Sequence, residues 1–185
     1  MTPLKLLPYA VGMIAVIGAI LIRSESHTIA SPTFEPVQKR IVAPEFSLKD
    51  STGATVRLSD YKGKVVLLNF WATWCGPCNI EIPTFTQFER TYKDQGFAVL
   101  GVSMDQDGWK AIRPFLERHQ VNYRVLLGDE GVSRSYGGID TLPTSLLIDR
   151  QGRIAVVHVG LESPETYQHQ ILELLKAGNP PANRT

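Results

Sequence analysis

Cysteine and histidine are scarce in this sequence, with two cysteines and four histidines among 185 residues. A structural zinc site takes four Cys or His ligands and a catalytic one takes three, at characteristic spacings. The cysteines form a single pair, Cys75 and Cys78, and no two histidines stand at ligand spacing. The sequence therefore predicts no metal site, and we expect no cofactor.

An excess of charge of one sign is also missing. The chain has 19 basic and 18 acidic residues, a net charge of +1, without long runs of one sign. Nucleic-acid-binding domains generally carry a clustered basic surface, so no nucleic-acid partner is expected. With 43% hydrophobic residues, the chain can bury a core of ordinary size without a disulfide. A structural role for the cysteines is therefore unnecessary.

The N-terminal region carries the longest uncharged stretch. Residues 6–22 hold no charged side chain, and as a helix they would span roughly 26 Å at about 1.5 Å per residue. We interpret them as a transmembrane anchor. A cleaved signal peptide is the alternative, because Lys5 precedes the stretch and residues 28–30 weakly resemble a cleavage site. A short inner tail would place the following domain on the extracytoplasmic side, periplasmic or outer.

The composition of successive stretches predicts how the chain is divided into segments. The predicted order is a tail at residues 1–5, the anchor at 6–22, a linker at 23–42, a folded domain at 43–177 and a C-terminal tail at 178–185. The linker is assigned because its residues are polar, include two prolines and show no sustained periodicity.

Hydrophobic periodicity predicts that strands and helices alternate in the domain. We expect strands near residues 55–58, 65–71, 97–102, 124–127, 145–148 and 154–159. Apolar residues at helical spacing predict helices after Cys75, over residues 109–119 and over residues 167–175. The order β-α-β-α followed by β-β-α indicates an α/β fold with a mixed central sheet and helices on both faces.

The two cysteines lie where a predicted strand gives way to a helix, in the segment Phe-Trp-Ala-Thr-Trp-Cys-Gly-Pro-Cys at residues 70–78. A cysteine at a helix N-terminus faces free N–H groups and the positive end of the dipole, which stabilise its thiolate. We therefore expect Cys75 to be the nucleophile. Cys78, one turn later, could close a disulfide with it or resolve a mixed disulfide.

The segment Trp74-Cys75-Gly76-Pro77-Cys78 resembles the active-site motif of thioredoxin. Together with the hydrophobic N-terminus, the opening at residues 43–48 and the pattern Cys-Gly-Pro-Cys-x-x-Glu-x-Pro, residues 41–177 resemble the membrane-tethered TlpA, ResA and CcmG branch of the thioredoxin superfamily. The resemblance implies a thioredoxin-like fold and a thiol-disulfide oxidoreductase that reduces disulfides of partner proteins. One such partner is apocytochrome c, in cytochrome c biogenesis, and the electron donor would be a membrane thiol-disulfide carrier.

The resemblance also draws attention to two residues near the cysteines. Thioredoxin has a buried Asp six residues before its first cysteine, where this chain has Asn69, and an amide cannot take a proton. In the ResA-like branch a glutamate three residues after the second cysteine is assigned that role, which corresponds to Glu81. Our hypothesis is that Glu81, its pKa raised by partial burial, exchanges a proton with Cys78. The alternative is an ordinary glutamate on a helix surface.

The same resemblance implies a substrate-binding surface. Pro143 matches the cis-proline that thioredoxin folds place opposite the disulfide, and the backbone of Leu142 would pair with an extended substrate. Trp74, Gly76 and Pro77 complete the predicted surface. Phe70 and Trp71 are interpreted as core residues.

Two other functions are compatible with the sequence. Peroxiredoxins share the fold and an Ala-Pro-x-Phe opening, but they place a proline and a Thr or Ser before the reactive cysteine, and this chain keeps only Thr73 in that context. A non-enzymatic binding module is the other alternative, and the presence of both cysteines argues against it. An oxidising or isomerising role also remains open.

Overall fold

The computed structural model of the protein describes residues 34–177. The predicted anchor at residues 6–22, most of the predicted linker and the tail at 178–185 lie outside the described residues. Within residues 34–177, no helix has the length and apolar character needed to cross a membrane.

Seven strands, four α-helices and two short 3₁₀ helices lie along the described chain. The strands are β1 (Ser47–Asp50), β2 (Thr55–Arg57), β3 (Val65–Trp71), β4 (Phe97–Ser103), β5 (Arg124–Leu127), β6 (Thr144–Ile148) and β7 (Ile154–Val159). The helices are α1 (Gly76–Tyr92), α2 (Trp109–His119), α3 (Glu130–Ser135) and α4 (Pro164–Ala177), and short 3₁₀ helices lie at Leu58–Tyr61 and Lys93–Gln95.

All seven strands form one sheet in the order β2-β1-β5-β4-β3-β6-β7. The pairs β3–β4 and β4–β5 are parallel, and β6 and β7 are antiparallel to their neighbours. Every residue of β3 and β4 is buried, as expected for central strands covered on both faces. The mixed sheet predicted from the sequence is confirmed.

Alternate residues of the central strands supply two separate hydrophobic clusters. Val65 and Leu67 belong to the cluster that contains the apolar faces of α1, α2 and α4. Val66 and Leu68 belong to the other cluster, to which the N-terminal strands, the first 3₁₀ helix and α3 also contribute residues. The cysteines lie in the cluster under α1 and α4.

Helix α3 was not predicted. It has six residues, of which only Val132 is buried, so it carries no apolar stripe for a periodicity argument to detect. Its start is fixed by Asp129, whose side chain accepts a hydrogen bond from the Val132 N–H at 2.8 Å.

The last part of the predicted linker lies along the outer edge of β7. The Glu35 N–H donates to the Ala155 carbonyl at 3.0 Å, and the Ile154 N–H donates to the Ile41 carbonyl at 2.9 Å. These bonds cover part of an edge strand that would otherwise present free backbone groups.

Candidate active site

The site is built where β3 ends and α1 begins. Cys75 is the N-cap of α1: its backbone is extended, and its sulfur accepts a hydrogen bond from the Cys78 N–H at 3.2 Å. Pro77 lies in the first helical turn, where its missing N–H costs no hydrogen bond. The strand-to-helix placement predicted for the cysteines is confirmed.

Cys75 and Cys78 are joined by a disulfide, with their Cα atoms 5.3 Å apart. Cys75 is 5% exposed and Cys78 is 1% exposed, so an incoming thiol has better access to Cys75. In the reduced state the Cys75 sulfur would stand at the positive end of α1, which stabilises its thiolate. The arrangement can support thiol-disulfide exchange.

Hydrogen bonds to Asp105, which follows the neighbouring strand β4, hold the loop before Cys75. The Asp105 carboxylate accepts hydrogen bonds from the Thr73 N–H at 3.0 Å and the Thr73 hydroxyl at 2.5 Å. A third bond comes from the Ser103 hydroxyl at 2.7 Å. Asp105 was not predicted as a site residue, and its only signal in the sequence is its place two residues after a buried strand.

The predicted substrate-side residues lie around this loop. The Leu142–Pro143 peptide bond is cis, as the resemblance implied, and Pro143 immediately precedes β6. Because Thr144 pairs with Phe70 of β3, Pro143 lies beside the end of β3, from which the cysteine loop emerges. Trp74 is 71% exposed next to Cys75.

Phe70 and Trp71 are fully buried, in line with their interpretation as core residues. They lie in opposite clusters because they are consecutive residues of one strand.

Glu81 lies on α1 one turn after Cys78 and is only 3% exposed, so its interpretation as a surface glutamate is wrong. Its Oε1 accepts hydrogen bonds from the Tyr167 hydroxyl at 3.1 Å and from the Glu162 N–H at 3.4 Å. Its Oε2 is buried and has no hydrogen-bond partner among residues 34–177.

Burial raises the pKa of Glu81 to about 7, from an ordinary value of 4.5. The hydrogen bonds from the Glu162 N–H and Tyr167 act in the opposite direction and lower this pKa, whereas the negative charge of Glu162 raises it. A carboxyl group with a pKa near neutrality can both take and return a proton under physiological conditions.

A cavity of about 330 Å³ opens beside this carboxyl group. Ile80 and Glu81 of α1 line one side, and Leu161 and Glu162 of the loop after β7 line the other. Ile80 and Leu161 are 62% and 52% exposed, so the rim of the cavity is apolar. A larger groove, about 730 Å³, lies by the first residues of β4 and β5, at the other end of the sheet from the cysteines.

Over residues 34–177, no group of three or more His, Cys, Asp or Glu side chains is placed to hold a metal ion.

Replacing Asp105 with alanine should loosen the cysteine loop. The change leaves the part-buried Thr73 N–H without its acceptor, and a fully buried donor left unsatisfied typically costs about 1–3 kcal/mol of folding stability. We expect a lower free energy of unfolding by urea titration and an altered alkylation rate of reduced Cys75. Asp107→Ala, at an exposed position two residues on, is the control. If both variants matched the wild type in stability and alkylation rate, Asp105 would not anchor the loop.

The raised pKa of Glu81 predicts a pH-dependent stability. The folded protein holds this proton more tightly than the unfolded chain, so stability falls as the pH rises from about 4.5 to about 7. Glu81→Gln cannot ionise and should escape this loss. Relative to the wild type, the disulfide form of the variant should gain stability between about pH 5 and about pH 8 in urea titrations.

The control for this titration is Glu117→Gln, at an exposed position on α2. It makes the same chemical change on the surface and should not reproduce the gain in stability. A stability difference for Glu81→Gln that is the same at about pH 5 and at about pH 8 would contradict the raised pKa.

Comparison with known proteins gives one consistent group. A model of the AhpC/TSA family matches residues 41–157. The thiol-disulfide oxidoreductase ResA of Bacillus subtilis is 34% identical over 163 residues, which cover 86% of this chain and 89% of ResA. The thioredoxin-like protein YneN of the same organism is 34% identical over 137 residues, 73% of this chain and 79% of YneN.

Solved structures agree with these relatives. The thiol:disulfide interchange protein DsbE from Chlorobium tepidum has a TM-score of 0.69 and 39% identity, covering 74% of this chain and 96% of that one. The thioredoxin domain of a thiol-disulfide oxidoreductase from Bacteroides vulgatus has a TM-score of 0.66 and 29% identity, covering 72% and 96%. The predicted thioredoxin-like fold is confirmed.

Proposed function

Since the chain belongs to the AhpC/TSA family of thioredoxin-like proteins and is a thiol-disulfide oxidoreductase of the ResA and DsbE type, we propose that it reduces disulfide bonds of partner proteins. The observation that carries this proposal is the disulfide at the N-terminus of α1, one turn from a buried carboxyl group whose pKa lies near 7.

The reaction begins with the reduced protein. The Cys75 thiolate attacks one sulfur of the partner's disulfide; that S–S bond breaks, a mixed disulfide forms, and the partner's other sulfur leaves as a thiolate. The Cys78 thiolate then attacks the Cys75 sulfur and releases the partner's second thiolate. Two electrons pass from the cysteine pair to the partner, which becomes a dithiol after taking up two protons.

Glu81 serves the second step in this proposal. Cys78 is buried, and a buried thiol is a poor nucleophile until it loses its proton. The Glu81 carboxylate, one helical turn away, accepts that proton and can return it when the pair is next reduced. Its pKa near 7 matches the working pH of such an acid–base group.

An extended segment of the partner would lie across the apolar rim of the site. Exposed Trp74, Ile80 and Leu161 offer contact to its side chains, and the backbone of Leu142, before the cis Pro143, offers hydrogen bonds. Gly76 and Pro77 lie at the start of α1, next to Cys75, and would be close to a partner sulfur bound to that cysteine.

The proposal extends to location and partners. Residues 6–22 would anchor the domain on the extracytoplasmic side of a membrane, and a thiol-disulfide carrier in that membrane would supply electrons. Apocytochrome c is the partner class we propose, which would place the protein in cytochrome c biogenesis. The uncharged N-terminal stretch and the likeness to ResA support these assignments.

The reducing function can be tested with the full chain in detergent. With dithiothreitol as electron source, the wild type should accelerate reduction of a disulfide-bonded protein such as insulin, and Cys75→Ser should fall to the dithiothreitol rate. A reduction potential near −270 mV, about that of thioredoxin, would support a reductant, and one near −120 mV would indicate an oxidant.

The competing peroxidase function is tested in the same preparation. Hydrogen peroxide should not be consumed faster with the protein than with dithiothreitol alone. Rapid peroxide turnover without insulin reduction would overturn the proposal in favour of a peroxiredoxin-like activity.

A further inference from the structure

Three buried polar side chains connect the middle of the sheet to Glu81. Asn69 lies on β3, Ser145 lies directly opposite it on β6, and Tyr167 lies on α4. Their exposures are 2%, 1% and 1%. From the sequence pattern, Tyr167 is one residue of the apolar stripe of the last helix and Asn69 is a missing carboxylate, so neither is linked to Glu81 by sequence alone.

Two hydrogen bonds and one interaction between hydroxyl groups connect these residues to Glu81. The Asn69 Nδ2 donates to the Ser145 Oγ at 2.9 Å. The Ser145 hydroxyl also interacts with the Tyr167 hydroxyl, and this interaction lowers the pKa of Tyr167. The Tyr167 hydroxyl in turn donates to the Glu81 Oε1 at 3.1 Å.

The direction of the chain is determined by its carboxylate end. An ionised Glu81 can only accept, so Tyr167 must donate its single hydrogen to it. The Tyr167 oxygen then accepts from Ser145, which uses the one hydroxyl hydrogen that Ser145 has. The Ser145 oxygen can therefore only accept from Asn69, which requires an N–H group at that position.

We propose that Asn69, Ser145 and Tyr167 form a directional hydrogen-bond chain that positions Glu81 and stabilises its carboxylate. Tyr167 and Asn69 are thus positioning residues for the proton transfer that we assign to Glu81, and the inference depends on that assignment. The amide at position 69 supplies the donor that an ionised aspartate could not.

Other titratable groups also face Glu81. Glu162, in the loop after β7, brings a negative charge, and Cys78 lies one turn earlier on α1. Tyr123, which precedes β5, is buried with a raised pKa and stays neutral. His158 of β7 packs its ring edge against Tyr167 and places its Nδ1 3.5 Å from the Glu162 carboxylate. None of the side chains of Glu162, Cys78, Tyr123 and His158 is hydrogen-bonded to Glu81, whereas the Tyr167 hydroxyl is.

The test is a ¹³C NMR titration of the Glu81 carboxyl carbon in the disulfide form of the full chain. Tyr167→Phe keeps the ring but removes the donor, so the titration midpoint should rise by about one pH unit. Asn69→Ala should move it in the same direction by less. The double variant should shift no further than Tyr167→Phe alone, because both changes interrupt one chain.

Tyr92→Phe is the matched control. Tyr92 is also a buried tyrosine whose hydroxyl makes a side-chain hydrogen bond, to Gln168 at 2.9 Å, but it lies three turns along α1 from Glu81. Its removal should leave the Glu81 midpoint unchanged. Ser145→Ala, which breaks the chain at its centre, offers a second interruption should Tyr167→Phe fold poorly.

The outcomes separate this inference from the proposed function. A Glu81 midpoint that stays at the wild-type value in Tyr167→Phe and Ser145→Ala overturns the chain, whatever the activity. A shifted midpoint supports the chain even if Glu81→Gln reduces insulin at the wild-type rate, and that second result would count against the proton transfer alone. Additive shifts in the double variant would overturn the coupling between Asn69 and Tyr167.

Discussion

A carboxyl group buried beside a disulfide is the constraint on which the rest of this site depends. Glu81 lies in an environment that disfavours its charge, yet it is not simply neutral, because two donors reach its Oε1. The balance between burial and these hydrogen bonds brings its pKa to about 7. Without α4 and the loop after β7, which supply Tyr167 and the Glu162 N–H, the same glutamate would lose both donors.

The fold brings the sulfur chemistry to this carboxyl group through strand order. Parallel β3 and β4 end at the same edge, where α1 begins with Cys75 at its N-cap. Asp105, two residues after β4, holds the intervening loop through Thr73, and the antiparallel β6 places Pro143 beside it. Each contact joins segments distant in sequence, so the geometry of the site follows from the sheet.

Local patterns in the sequence predicted the parts of the structure that local physics determines. The apolar runs of β3 and β4, the helix after the cysteines and the mixed sheet all follow from periodicity and turn residues. The cis bond before Pro143 and the burial of Glu81 were expected through family resemblance rather than from pattern. Helix α3 was not predicted because a six-residue helix has almost no apolar face.

The partners of Glu81 could not be predicted in this way. Tyr167 is 86 residues away in sequence from Glu81. Hydrophobic periodicity counts Tyr167 as one more apolar residue of α4 and carries no information about the bonding partner of its hydroxyl. Asn69 and Ser145 are likewise brought together only by the pairing of β3 with β6. From the sequence, Asn69 indicates only that the proton-accepting carboxylate of thioredoxin is missing. In the structure, its side-chain amide donates a hydrogen bond to the Ser145 hydroxyl.

The most direct test of the account follows the mixed disulfide formed between Cys75 and a disulfide-bonded protein, by rapid acid quench near neutral pH. In Glu81→Gln the mixed disulfide should form at the wild-type rate but resolve about a hundredfold more slowly, because Cys78 has lost its proton acceptor. Glu117→Gln should resolve it normally. Resolution in Glu81→Gln at the wild-type rate would contradict the central claim that the buried carboxylate takes the Cys78 proton.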